Sequence, residues 1–159
     1  MEKLRSSHPE AAHPGAVAGL SLGEFTALCA AGVFSFKQGL ELAKIRGGAV
    51  SEAMRQRPQL AMSATLDVES LQRLCAEQHH GGEVCQVAKV LFPGGIICAG
   101  SEQAMRRLQE AATMAGARQV KEIPGLGGQH TELMRPAAEE AKAALEKMLP
   151  SMRPPRCNV

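Results

Sequence analysis

Apolar residues recur at helical spacing in two segments of the first third of the chain. The first segment predicts a helix over Leu22–Ala31 that Gly32 ends. The second segment follows a capping box made by Ser35 and Gln38 and predicts a helix that reaches about Arg57. The apolar stripe of this second helix consists of Leu42, Ile45 and Ala49.

The spacing changes after residue 59, where short strand patterns alternate with helical ones. Strands are expected over residues 60–66, 84–90, 96–99 and 118–123. Asp67 is expected to cap the helix after the first strand, and Ser101 the helix that ends at Gly116. The order β-α-β-β-α-β is the ferredoxin-like arrangement, in which two helices cover one face of a four-stranded sheet. We therefore expect residues 60–123 to form a ferredoxin-like subdomain.

The segments around this subdomain are expected to form a larger α/β core. A glycine-rich loop over residues 125–129 leads to His130 and to a helix from about Glu132 to Leu149, stopped by Pro150. Residues 16–59 and 124–149 would then make an incomplete α/β core. Residues 1–15 and 150–159 are polar or proline-rich and are expected to be disordered.

Composition narrows the class of protein. A length of 159 residues fits one domain or two small ones. Aromatic residues make up only 3% of the chain, so the core must be built from Ala, Leu and Met. A net charge of +2 without a basic run gives no nucleic-acid footprint, and no apolar run approaches the ~20 residues of a membrane span. The five cysteines are odd in number and contain no CxxC, which favours reduced thiols over a disulfide framework.

The pentapeptide Gly19–Gly23 fits the pattern G-x-S-x-G, with Ser21 at its centre. It follows a short apolar step, residues 16–18, which predicts a strand, and it precedes a helix. This is the context of a nucleophile elbow, where the serine lies on a strained turn and a helix N-terminus directs N–H groups at developing negative charge. Ser21 is therefore the candidate nucleophile and the Leu22 N–H a candidate oxyanion donor. The alternative is an ordinary turn with a capping serine.

A serine nucleophile needs a base, and His130 is the candidate among the five histidines. It follows a flexible loop and precedes a helix, which can bring it to a nucleophile distant in sequence. The alternative for His130 is a helix-cap residue. His79 and His80 end a helix, where an imidazole interacts favourably with the helix C-terminus. With Cys75 and Cys85 they match no standard zinc spacing, so no metal site is predicted.

Arg46 lies 25 residues after Ser21, inside the apolar stripe of the second helix. A buried guanidinium needs an anionic partner, and its forked donors suit a carboxylate. The alternative is a surface arginine whose aliphatic stem lies over the helix.

Together these features resemble one family. The stretch Ala18–Gly47 resembles the malonyl-CoA:acyl carrier protein transacylases of fatty acid synthesis, with the elbow and the Ile45-Arg46-Gly47 step in register. That family also carries a ferredoxin-like insert, and His130–Ala137 is similar to the segment with its catalytic histidine. The resemblance covers Ala18 to about Leu145, and the Leu-Phe-Pro turn at residues 91–93 looks closest to the animal mitochondrial members.

The resemblance implies acyl transfer through a covalent intermediate. Ser21 would attack the malonyl thioester, His130 would take its proton, and Arg46 would bind the malonyl carboxylate. The expected partners are malonyl-CoA and acyl carrier protein, with no nucleic acid or membrane, and the chain is expected to be a monomer. No cofactor is expected, because the phosphopantetheine belongs to the carrier protein. The implied location is mitochondrial, with the cytoplasm as the alternative.

The chain also departs from the family pattern. The family has a long segment before the elbow and further sequence after the last helix, so we expect a partial or truncated chain. Gln129 stands where Phe or Ser is usual, and Lys89 where Asn is usual. One alternative is a non-catalytic product that keeps the ferredoxin-like subdomain as a binding module. Another is an α/β hydrolase, whose acid would have to be Asp67, the only aspartate.

Overall fold

The computed structural model describes residues 6–8 and 13–159. The expectation of disorder for residues 1–15 falls largely on residues outside those described. The contacts divide the chain into two units, residues 1–48 with 140–159 and residues 49–139. The second unit is wider than the predicted subdomain, 60–123, because it also takes in the end of one long helix and the start of another.

The first unit is helical. Helix α1 spans Leu22–Ala31 and ends as predicted at Gly32, whose φ of 82° is left-handed. Helix α2 spans Phe36–Arg55 and begins at the predicted capping box, where the N–H of Ser35 donates to Gln38 Oε1 at 2.9 Å. Both helices contribute residues to one apolar cluster. The buried members of this cluster are Ala31, Val33, Phe34 and Leu42.

The strand predicted over residues 16–18 is not formed as a strand. Ala16 makes only one isolated parallel bridge, to Asn158, and the N–H of Val17 donates to the Asn158 carbonyl at 2.9 Å. The partner of this segment is 142 residues away, so neighbouring residues gave no pattern from which to predict it.

The expectation of disorder for residues 150–159 is wrong. The N–H of Arg153 donates to the Val33 carbonyl and that of Arg156 to the Ala31 carbonyl, both at 2.9 Å. These acceptors lie at and just beyond the end of α1, where carbonyls lack intrahelical partners. Pro154 and Pro155 cannot continue a helix, but the N–H groups of Arg153 and Arg156 on either side of them remain available as donors.

The second unit contains the predicted ferredoxin-like order. Its strands are β1 (Gln59–Ala64), β2 (Cys85–Phe92), β3 (Gly95–Ser101) and β4 (Val120–Glu122). Its inserted helices are α3 (Val68–Gln78) and α4 (Glu102–Met114). The sheet order is β2-β3-β1-β4 with antiparallel neighbours, which confirms the β-α-β-β-α-β prediction.

Each face of this sheet is covered by apolar side chains. The helix-facing core is built around fully buried Met62, Leu71, Met105 and Leu108. The opposite face carries a smaller cluster whose buried members are Ala61, Ile97 and Ala99. Aliphatic and thioether side chains therefore fill the core of this sheet, where other proteins use aromatic rings, as the composition predicts.

The two predicted helix caps have different outcomes. Asp67 caps α3 as predicted, since its Oδ1 accepts the Ser70 N–H at 2.7 Å. Ser101 precedes α4, but its hydroxyl accepts the Val84 N–H at 2.9 Å and makes no cap bond. Ser101 is 3% exposed, so its hydroxyl satisfies a buried strand donor instead.

The last helix differs in detail from the prediction of residues 132–149. A 3-10 turn, Glu132–Met134, precedes helix α5, Arg135–Met148, and a second 3-10 turn over Leu149–Ser151 follows it. None of the helices in the described part of the chain is both long enough and apolar enough to cross a membrane.

Candidate functional site

Ser21 lies on a strained turn at the start of α1. Its φ of 61° and ψ of −114° place a non-glycine residue in a sparsely populated region, as a nucleophile elbow requires. The N–H of Ser21 donates to Glu24 Oε1 at 3.3 Å, and the Ser21 carbonyl accepts the Glu24 N–H at 3.1 Å. The turn is therefore fixed by the first turn of the helix that follows it.

Gly19 is required by the close approach of the chain at this elbow. A Cβ added at Gly19 would lie 2.5 Å from the Glu24 nitrogen and closer still to the Gly23 carbonyl oxygen. Gly23, the other glycine of the motif, has no atom within 4 Å of an added Cβ. Only the first glycine is therefore needed for packing within the elbow.

Leu22 is the first residue of α1, so its N–H is one of the donors that lack an intrahelical acceptor. The next N–H, of Gly23, donates to the Leu20 carbonyl at 3.0 Å within the turn itself. Position and helix polarity thus suit the Leu22 N–H to a developing oxyanion.

Arg46 contacts the candidate nucleophile directly. It is half-buried on α2, and its Nη2 donates to Ser21 Oγ at 3.1 Å. The sequence left open a surface arginine lying over its helix, whereas the structure directs the guanidinium to the serine. A fixed cation at the hydroxyl provides the charge needed to hold an anionic acyl group next to the nucleophile.

His130 is in the second unit and is exposed. Its φ of 64° makes it, with Ser21, one of two non-glycine residues at positive φ in the described part of the chain. The following residue closes the loop, since Thr131 Oγ1 donates to the Gly128 carbonyl at 2.6 Å. The structure thus brings Ser21 and Arg46 together, and the pairing of His130 with Ser21 stays a prediction.

The histidine and cysteine residues considered for a metal site make other contacts. His79 Nε2 lies 3.3 Å from Glu132 Oε1, while Cys75 and Cys85 are buried in the helix-facing core. Among residues 6–8 and 13–159, no three His, Cys, Asp or Glu side chains are grouped to hold a metal. Thiol hydrogen bonds with Cys85 and Cys98, together with burial, raise the pKa of the Cys75 thiol well above its ordinary value.

Asp67 bears on the hydrolase alternative, and Lys89 and Gln129 on the departures from the family pattern. Asp67 is exposed and its carboxylate is bonded to the N-terminus of α3, so the structure gives no support to the Ser-His-acid triad of a hydrolase. Lys89 and Gln129, which depart from the family pattern, are both half-buried in the second unit. Lys89 lies in β2 next to a register shift against β3, between Val87 and Lys89, and Gln129 lies in the loop before His130.

Two glutamines near the histidine loop were missed by sequence reasoning. Gln59 Oε1 accepts the Gly128 N–H and Gln86 Oε1 accepts the Glu132 N–H, both at 2.9 Å. Bonds between a side chain and a distant backbone group leave no periodic signal, so the sequence alone does not indicate them.

Comparisons with known proteins agree with the resemblance. No protein-family model matches the chain. It is 36% identical over 135 residues to the malonyl CoA-acyl carrier protein transacylase of Bacillus subtilis, covering 84% of this chain and 42% of that protein. It is 34% identical over 139 residues to the mitochondrial malonyl-CoA-acyl carrier protein transacylase of Homo sapiens, covering 82% of this chain and 36% of that protein.

Solved structures give the same result for the fold. The malonyl CoA-acyl carrier protein transacylase of Coxiella burnetii superposes with a TM-score of 0.85 at 28% identity, over 93% of this chain and 47% of that one. A malonyl-transacylase in complex with its type II PKS acyl-carrier protein gives a TM-score of 0.84 at 32% identity, over 91% and 46%. The α/β acyltransferase fold class is thereby confirmed. The chain spans less than half the length of these relatives.

Proposed function

We propose that this chain, a homologue of malonyl-CoA:acyl carrier protein transacylases, accepts a malonyl group on Ser21 and transfers it to the pantetheine thiol of an acyl carrier protein. The observation that carries the proposal is the 3.1 Å bond from Arg46 to the hydroxyl of a serine on a strained elbow. A hydrolase elbow needs no such cation, whereas a site for a carboxylated acyl group does.

The first half-reaction forms an acyl-enzyme. Ser21 Oγ attacks the thioester carbonyl of malonyl-CoA while His130 takes the hydroxyl proton. The negative charge of the tetrahedral intermediate is stabilised by the Leu22 N–H and the N-terminus of α1. The carbon–sulfur bond then breaks, and the proton passes from His130 to the sulfur of coenzyme A.

The second half-reaction reverses these steps with a different thiol. The pantetheine thiol of the carrier protein attacks the Ser21 ester, and His130 accepts the thiol proton. The ester bond breaks and the proton returns to Ser21 Oγ, which regenerates the enzyme. In this scheme the chain needs no cofactor of its own, because the carrier protein supplies the phosphopantetheine.

Arg46 sets the acyl selectivity in this proposal. Its guanidinium exchanges the Ser21 hydroxyl for the free carboxylate of the malonyl group, which can accept both arms of the fork. An acetyl group offers no partner and would leave the half-buried cation without one. Discrimination of this kind is strong because it depends on leaving a polar group of the site unpaired.

The finer assignments are proposals of the same kind. The human and mouse relatives, both named mitochondrial, support a mitochondrial type and location. The bacterial relatives are about as similar to this chain in sequence. We also propose that the chain acts as a monomer without nucleic acid or membrane. Nothing in the described residues favours the non-catalytic alternative.

Transfer kinetics with malonyl-CoA and acetyl-CoA test the proposal. Replacing Arg46 by Ala should lower kcat/KM for malonyl transfer to holo acyl carrier protein by about tenfold to a hundredfold, the effect of losing hydrogen bonds to a charged group. Acetyl transfer should change little. Lys44→Ala, which removes an exposed cation from the same helix, is the matched control. Equal losses for both acyl groups would contradict the assigned role, and no malonyl transfer by the unmodified chain would contradict the function.

A further inference from the structure

The backbone of His130 needs contacts that hold it in place. A non-glycine residue at positive φ persists only where its surroundings over-determine its conformation, and the φ of His130 is 64°. Hydrogen bonds made by the neighbouring backbone contribute to holding this conformation.

Gln59, the first residue of β1, holds the loop before His130. Its Oε1 accepts the Gly128 N–H at 2.9 Å, and its Nε2 donates to the Ala53 carbonyl on α2 at 2.9 Å. The second bond fixes the amide so that its oxygen faces the loop. A Cβ at Gly128 would lie 2.7 Å from this oxygen, so the glycine permits the approach.

Gln86, on β2, holds the loop after His130. Its Oε1 accepts the Glu132 N–H at 2.9 Å. The Glu132 carboxylate in turn lies 3.3 Å from His79 Nε2, so this end of the loop is attached to the subdomain twice. The two glutamine oxygens thus receive the N–H groups two residues before and two residues after His130.

We infer that Gln59 and Gln86 are positioning residues, which hold the backbone on both sides of His130 so that its imidazole is presented in one orientation for proton transfer. This inference rests on the proposed function for its catalytic consequence. An amide side chain suits the task because it does not titrate.

Variants of similar shape that lack the glutamine amide oxygen test the inference on the full chain. Gln59→Met, Gln86→Met and the double variant remove the oxygens, and Gln86→Glu keeps an acceptor. Gln72→Met, at an exposed position of α3, is the matched control. The measurement is the rate of Ser21 acylation by rapid quench at several malonyl-CoA concentrations and pH values.

The double variant should lower the maximal acylation rate by about tenfold to a hundredfold, since small displacements of a catalytic group have effects of this size. The malonyl-CoA concentration for half-maximal rate should stay within about twofold, because the substrate-binding groups are untouched. Gln86→Glu should recover most of the loss caused by Gln86→Met. An active wild-type chain with an unchanged rate in the double variant would overturn the inference.

Nuclear magnetic resonance gives a second readout that does not depend on activity. Amide exchange should quicken at Gly128 in Gln59→Met and at Glu132 in Gln86→Met, and at neither in the control. The strong intraresidue HN–Hα NOE that a positive φ produces at His130 should weaken in the double variant. If the wild-type chain acquires no malonyl group, the proposed function fails, and an unchanged NOE would then overturn the positioning role separately. Gln86→Met alone serves this test if the double variant does not fold.

Discussion

The two glycines of the elbow provide a matched pair of perturbations. A Cβ at Gly19 would lie 2.5 Å from the Glu24 nitrogen and closer still to the Gly23 carbonyl oxygen, whereas real Cβ atoms essentially never come within 3.0 Å of such atoms. Both neighbours are backbone, so the chain at the elbow must move by more than about half an ångström, and no side-chain rotation can relieve the overlap. A Cβ at Gly23 meets nothing within 4 Å.

The free-energy difference follows from these contacts. Overpacking costs about 1–3 kcal/mol, so Gly19→Ala should lower Tm by about 2–12 °C in a chain of this size. Gly23 is within α1, where alanine is favoured over glycine by up to about 1 kcal/mol, so Gly23→Ala should keep Tm or raise it by up to about 4 °C. Displacement of Ser21 should also lower acylation of Gly19→Ala by about a hundredfold.

Thermal unfolding followed by circular dichroism, with acylation measured on the same samples, checks both variants. The reasoning is refuted if Gly19→Ala melts with the wild-type protein and acylates at its rate. It is also refuted if Gly23→Ala is destabilised as much as Gly19→Ala, because the overlap would then not be the cause.

Three further predictions concern stability and thiol chemistry. Backbone hydrogen bonding at the start of α3 lowers the pKa of Asp67 below its ordinary 3.8, so the stability it gives is present above pH 3.8 and lost as pH falls through the native pKa. Urea unfolding of Asp67→Asn should therefore depend less on pH below about pH 4 than that of the wild type. Ser101→Ala should cost about 1–3 kcal/mol in urea unfolding, because it leaves a buried strand N–H unsatisfied, and a loss below about 0.5 kcal/mol would contradict this. Brief alkylation of the native chain should label half-buried Cys29 and Cys157 and spare the three buried cysteines, and early labelling of Cys75 would be the contrary result.

Periodic features of the fold could be predicted from the sequence. The end of α1 at Gly32, the capping box at Ser35 and the β-α-β-β-α-β order all depend on residues close together in the chain, and the structure confirms them. The tail could not be predicted, because its bonds to the end of α1 join positions more than a hundred residues apart and involve only backbone atoms. The cap predicted at Ser101 is not formed, because the Ser101 hydroxyl accepts the Val84 N–H instead. This contact joins distant residues and has no local sequence signature.

The residues of the candidate site also divide into those that a local sequence pattern predicts and those that it does not. Ser21 was identified by a motif in its proper context, and Arg46 by a cation placed among apolar positions, and the structure places the two in contact. Gln59 and Gln86 reach the histidine loop across 69 and 46 residues, respectively, through bonds to backbone N–H groups. A glutamine on a strand has many ordinary uses, so its identity alone indicates none of them.

Intact mass spectrometry after brief exposure of the purified chain to malonyl-CoA is the most direct test of the central claim. The account predicts a mass increase of one malonyl group on the wild-type chain and none on Ser21→Ala, with the group lost again when holo acyl carrier protein is added. A folded wild-type chain that gains no malonyl group, or a Ser21→Ala chain that gains one, would contradict it.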